Sequence, residues 1–227
     1  TAYHFIDWLA TAGQKIWQLL PLGNIGPCNS PYMSSSAFAG NCLMIDLNEL
    51  GEFGWLAAED LLPHADFNSY KVNYSLVQQY RMARLRLAAS RFFTDKQHHH
   101  ITEFEAFCTA EQSWLEDYAL FMALTGKFNG QEWGQWPQAF AHREAGTLRH
   151  ASIELSDEIG FWRFCQWCFF RQWRKLKQYA NARGVRIIGD MPIFVAYQSA
   201  DVWSRQQLFE LGDDNQPTVI AGVPPDY

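Results

Sequence analysis

One short arrangement occurs twice in this chain, and it decides the fold class. Near the start, a helical pattern carrying Phe5, Ile6, Leu9 and Ala12 stops at Gly13. Lys15-Ile16-Trp17-Gln18-Leu19-Leu20 then follows as an apolar strand closed by Pro21. Much later, Ser156 opens a helix with Phe161, Phe164, Cys165, Cys168, Phe169, Leu176 and Tyr179 at helical spacing. Gly184 stops it, and Val185-Arg186-Ile187-Ile188 forms the next strand. A helix leading into a nearly continuous apolar strand marks a parallel sheet covered by helices, so the fold class is α/β. Both strands are apolar on both faces, so they call for helices outside and neighbouring strands alongside.

Between these units lies a long helical excursion. Its clearest pattern is opened by Thr102-x-x-Glu105, a capping-box spacing, and carries Phe104, Phe107, Cys108, Leu115, Tyr118, Phe121 and Met122. No alternating strand pattern interrupts it. The chain therefore divides into an early helix-strand-loop unit (1–48), a mainly helical insertion (49–155), and a second helix-strand unit with the start of a further loop (156–227). At the ends, Thr1-Ala2-Tyr3 enters a helix without an initiator Met, and Gly222-Val223-Pro224-Pro225-Asp226-Tyr227 stops in a loop-like stretch. Both termini read as cut.

Composition narrows the function classes. A 227-residue chain that is 48% hydrophobic can bury a sizeable core. A net charge of -6, with 18 Lys and Arg scattered along the chain, supplies no basic stripe for a phosphate backbone, which argues against nucleic acid. No apolar run approaches the ~20 residues of a membrane helix, and no signal segment opens the chain, so the expectation is a cytoplasmic protein. Cys42, Cys108, Cys165 and Cys168 all lie in apolar surroundings, as buried free thiols do. Cys165-x-x-Cys168 has zinc-like spacing, but it falls in a helical run without a second ligand pair, and core packing is favoured over metal. His98, His99 and His100 read as a solvated turn rather than a metal tract.

Two loops carry the candidate chemistry. The first strand is followed by a turn-rich run from Pro21 to Asn41, in which Pro31 precedes Tyr32 and can hold its ring as a stacking surface. The second begins at Asp190, at the tip of Ile187-Ile188-Gly189. A carboxylate there is either a ligand-binding or catalytic group or an acceptor for loop amides, and the residues alone leave both open. Asp201, in Ser199-Ala200-Asp201-Val202-Trp203, suits a helix N-terminal acid equally well.

These segments bear a strong family resemblance. Trp17 to Gly23, Ser30-Pro31-Tyr32, Ser36 to Asn41, Gly189 to Ala196, Ser199 to Trp203, and Ala221-Gly222-Val223-Pro224-Pro225-Asp226-Tyr227 resemble, in order, the motifs of the amylomaltases, or 4-α-glucanotransferases. Weaker likenesses at Trp114 to Met122, Trp136-Pro137 and Gln172-Trp173 extend the match along essentially the whole chain. The resemblance implies part of a (β/α)₈ TIM barrel of the α-amylase clan with a large helical insertion. A closed barrel needs about 250 residues before insertions, so this chain holds only part of one. The implied activity is transfer of α-1,4-glucan segments between maltooligosaccharides with retention, without metal or organic cofactor. Ser30, Tyr32, Asp190, Asp226 and Tyr227 are implied to bind substrate, whereas the nucleophile and acid/base come from later in the family's sequence. A non-catalytic glucan-binding module and a hydrolase of the same clan are the alternative readings. Two departures stand out: Gly26-Pro27-Cys28-Asn29 replaces a common Gly-Tyr-Gly-Asp, whose Tyr is associated with a second glucan site, and Gln198 replaces a common Asp.

Residues 1–227 expressed alone are therefore expected to lack maltotriose disproportionation and to aggregate or bind apolar dyes, because unpaired apolar strands recruit other chains. Turnover by a compact monomer on size-exclusion chromatography would contradict this.

Overall fold

The computed structural model describes residues 1–26, 29–64, 66–94 and 100–219. In chain order they form α1 (Ala2–Thr11), β1 (Ile16–Gln18), α2 (Leu47–Glu52), α3 (Tyr74–Thr94), α4 (His100–Ala110), α5 (Gln112–Lys127), α6 (Gln138–Ala141), α7 (Ala145–Glu154), α8 (Ser156–Ala182), β2 (Arg186–Ile188) and α9 (Ala200–Ser204). The two strands pair in parallel, Ile16 against Arg186, Trp17 against Ile187 and Gln18 against Ile188. This is the helix-strand repetition expected from the sequence.

The two helix-to-strand turns have the same construction. Gly13 and Gly184 take φ values of +76° and +72°, a region that penalises a Cβ. The following amides fold back onto the helix, Gln14 N to Leu9 O at 2.9 Å and Val185 N to Ala180 O at 3.0 Å, which satisfies carbonyls at each helix end. α1 then seats on α8 through Asp7, whose carboxylate accepts from the Tyr179 hydroxyl at 2.8 Å and Arg183 Nε at 2.6 Å.

The strands are shorter and more open than their composition suggests. Ile6, Leu9, Ala180 and Val185 form a small core against which Trp17 and Ile187 pack, so α1 and α8 cover one face of the pair. On the other face Ile16 is 47% and Ile188 48% exposed, the uncovered apolar strand surface expected where a parallel sheet lacks its further neighbours. Apolar residues show what a strand can bury; the neighbours that are present decide what it does bury.

The main core lies along the first half of α8. This helix runs for 27 residues, and Phe164, Cys165, Trp167, Cys168 and Phe169 on it are buried against residues of α3, α4 and α5. Trp55, Phe92 and Phe164 meet here in edge-on and tilted pairs, with Trp55 to Phe92 and Phe92 to Phe164 each 5.0 Å between centroids. Cys165 and Cys168 are packing residues, and burial raises both thiol pKa values well above the ordinary range.

Two local expectations are corrected. His98 and His99 lie outside the described residues, but His100 is no solvated turn. It is the first residue of α4, 7% exposed, with its ring 4.5 Å from Phe53 and 5.3 Å from Trp55. Thr102 and Glu105 are inside α4 rather than at its cap, and α4 ends at Ala110 instead of running on through Met122.

The loop after β1 rests on α8 at Gly40, where a Cβ would come within 2.0 Å of a Phe169 ring carbon. Gly40→Ala should therefore cost about 1–3 kcal/mol through overpacking, read from denaturant midpoints. A change within about 0.5 kcal/mol would show that the loop does not dock as described.

Candidate functional site

The loop between β1 and α2 has almost no regular structure, yet each backbone amide from Ser36 to Leu43 has an acceptor. Ser34 Oγ takes Ser36 N at 3.4 Å, Asp201 Oδ2 takes Ala37 N at 2.9 Å, and Ser36 Oγ takes both Phe38 N at 3.1 Å and Ala39 N at 3.3 Å. Gln166 Oε1 takes Gly40 N at 2.8 Å, Leu22 O takes Asn41 N at 2.8 Å, Asn24 Oδ1 takes Cys42 N at 3.2 Å, and Asn41 Oδ1 takes Leu43 N at 2.9 Å. Buried amides must be paired, so this arrangement substitutes side chains for the ladder that a strand would supply.

Gln166 is the deepest member of the network. It is fully buried on α8, and its Nε2 donates to Gly40 O at 3.0 Å while its Oε1 accepts from Gly40 N. One side-chain amide thus closes on both polar groups of one residue. Gln172 does the same farther along α8, accepting from Asp46 N at 2.7 Å and donating to Asp46 O at 3.0 Å. Behind Gly40 the Tyr118 hydroxyl of α5 accepts from Asn24 Nδ2 at 2.9 Å, and burial raises its phenol pKa well above normal.

The loop after β2 carries Asp190 and then α9. Ser199 caps α9 by accepting from Val202 N at 3.3 Å, and Asp201 is an acid of the first turn, as its sequence position suggests; its carboxylate also reaches the first loop. Ala200 N donates to Ser35 O at 2.9 Å, a second tie between the same two loops. Gln198, where the resemblance leads one to expect Asp, accepts from Trp133 N at 3.1 Å and so connects this loop to the insertion. An acid would accept that bond equally well. The amide adds an Nε2 that finds no partner among the described residues.

Tyr32 and Asp190, 158 residues apart in sequence, meet at the strand ends. The Tyr32 hydroxyl donates to Asp190 Oδ2 at 2.7 Å, and Ser30 Oγ accepts from Tyr32 N at 3.3 Å. Tyr32 is 43% exposed, which leaves ring surface free for a ligand. The hydrogen bond to Asp190 is the main reason its phenol pKa lies above the ordinary value. Beside Asp190 a cavity of about 280 Å³ opens among Leu20, Pro21, Trp173, Lys177 and Ile187. Asp226 and Tyr227, like Pro27 and Cys28, lie outside the described residues.

Of the residues singled out from sequence, the structure thus joins Ser30, Tyr32 and Asp190. Sequence reading missed Asn24, Gln166 and Gln172. One signal was available: an amide inside the apolar run Phe164-Cys165-Gln166-Trp167-Cys168-Phe169 has to find a polar partner somewhere. Among the described residues no group of three or more His, Cys, Asp or Glu is arranged to hold a metal ion, and no helix is long and apolar enough to cross a membrane.

Two helix-covered parallel strands with polar groups at their C-terminal ends are what α/β folds, barrels among them, share. The chain belongs to glycoside hydrolase family 77, described as 4-alpha-glucanotransferase, whose profile matches residues 1–227. It is 46% identical to a 4-alpha-glucanotransferase of Thermus thermophilus and 42% identical to one of Synechocystis. All of this chain is covered in both matches, but only 44% and 45% of those relatives. It superposes over its full length on an amylomaltase from Streptococcus agalactiae solved in complex with acarbose, with TM-score 0.93 and 36% identity, again covering 46% of that chain. The fold is therefore that of a part of the amylomaltase barrel with its helical insertion. The chain spans a little under half the length of the relatives it matches.

A titration would check the contact at the centre of the site. Donation to a carboxylate favours the protonated phenol, so in Asp190→Asn the Tyr32 pKa should fall towards its ordinary value of 10.0. Carbon-detected NMR of labelled tyrosine, with the signal assigned through Tyr32→Phe, would read it. An unchanged midpoint would mean that the bond is not formed in solution.

Proposed function

We propose that the complete protein is a 4-α-glucanotransferase acting on α-1,4-glucans and maltooligosaccharides, and that residues 1–227 supply much of its sugar-holding surface. In this reading 1–48 and 156–227 are barrel units, and 49–155 is an insertion that buttresses them. Tyr32 offers a ring face to a glucose unit, because a flat amphipathic side chain gains contact area at little rotamer cost. Asp190 accepts from sugar hydroxyls, with Ser30 setting the backbone beneath Tyr32. Asp226 and Tyr227 open a segment that reaches over the glucan. The buried free thiols suit a reducing, cytoplasmic setting.

The observation that carries this reading is the Tyr32–Asp190 hydrogen bond, which sets a stacking surface beside an anionic acceptor. That combination recognises a polyhydroxylated ring with an apolar face. Retaining transfer also needs a nucleophilic and an acid/base carboxylate about 5–5.5 Å apart. We assign both to polypeptide outside residues 1–227, in keeping with the family resemblance, and give Asp190 an orienting role.

Asp190→Asn in the complete enzyme should lower kcat/KM for maltotriose disproportionation by about ten- to a hundredfold, the loss of charge-assisted bonds worth about 1.5–3 kcal/mol. Trapping with a slow glycosyl donor should still label the protein, at another residue. Label on Asp190 would refute the orienting role, and release of glucose without longer oligosaccharides would identify a hydrolase.

A further inference from the structure

Asp201 lies apart from the Tyr32–Asp190 pair, is largely buried, and belongs to a helix whose cap is already provided by Ser199. Burial raises its carboxyl pKa, so keeping an acid here carries a cost that an uncharged residue would avoid. Its bonding explains why an acid is used. Ala37 N donates to Oδ2 at 2.9 Å. The Ser36 oxygen already accepts from Phe38 N and Ala39 N, so its hydroxyl hydrogen is left to donate, and Asp201 is its partner. The Ala37 amide, the Ser36 hydroxyl and Asp201's own amide all face this carboxylate as donors, and a carboxylate is acceptor-only. An Asn could satisfy one of them and would turn its own N–H groups towards the others.

Ser36 is itself buried, 2% exposed, so the second donor has no recourse to water. Ala37 and Ser36 belong to the loop that carries Tyr32, while Asp201 follows from the loop that carries Asp190. With the Ala200 N to Ser35 O bond beside it, the Asp201 contact fastens the two loops that bring those residues together.

We infer that Asp201 is a positioning residue: its carboxylate latches the loop after β1 to the loop after β2 and thereby sets Tyr32 against Asp190. The assignment rests on the glucan reading for its consequence in catalysis, but not for its structural content.

Two measurements on the complete protein test it, using Asp201→Ala, which leaves the Ala37 amide no side-chain acceptor at this position. By hydrogen exchange, the Ala37 amide should lose at least tenfold protection while amides of α5 and α8 keep theirs. In maltotriose disproportionation, kcat/KM should fall about tenfold with most of the change in KM, and in a Tyr32→Ala background the same substitution should add little. The inference is overturned if Ala37 exchange is unaltered, if protection is lost uniformly or the thermal transition disappears, or if the kinetic effects of the two substitutions simply add. A wild-type enzyme inactive on α-glucans would defeat the functional reading. The exchange experiment would still decide for or against the latch.

Discussion

A primary amide buried in the middle of an aromatic helix face fixes where the loop after β1 can lie. Gln166 has no solvent to turn to, and each of its polar atoms meets a backbone group of Gly40. A buried donor or acceptor left unpaired costs about 1–3 kcal/mol, so lifting the loop away would strand groups on both sides at once. Gly40 has room for no side chain because Phe169, one turn on from Gln166, occupies that space. Apolar packing brings the loop to α8, and the amide bonds choose the residue at which it stops. Gln172 repeats the device at Asp46, so the segment between these points is pinned to one helix at both ends.

The insertion participates in this arrangement. Tyr118 on α5 holds Asn24, which in turn holds Cys42, and Trp133 is tied to Gln198 and to Tyr197 O. These contacts reach both loops at the strand ends. The aromatic packing of α3, α4 and α5 on α8 supplies the stiffness behind them. Tyr118 and Trp133 therefore brace the two loops from which Tyr32 and Asp190 come. A loop whose amides are already satisfied needs little further ordering when a ligand arrives, which preserves affinity.

The parts of this architecture readable from sequence were those set by local physics. Gly13 and Gly184 could be recognised as helix stops because a left-handed residue after an apolar helix favours glycine, and the strands after them followed from composition and length. His100 was misjudged because its burial depends on Phe53 and Trp55, far away in sequence. Motif resemblance singles out Tyr32 and Asp190 as candidates, but their hydrogen bond is not legible in sequence at a separation of 158 residues. Gln166 illustrates the same limit: a polar residue on an apolar face signals a partner without naming it, and the partner lies 126 residues away.

The central claim is that the loop after β1 is a rigid platform held by buried side chains. Native-state hydrogen exchange at the Gly40 amide tests this most directly. If Gln166 holds that amide as described, it should exchange only through openings as costly as those that expose the buried face of α8. Exchange at the rate of a solvent-exposed loop amide, with α8 still protected, would contradict the account.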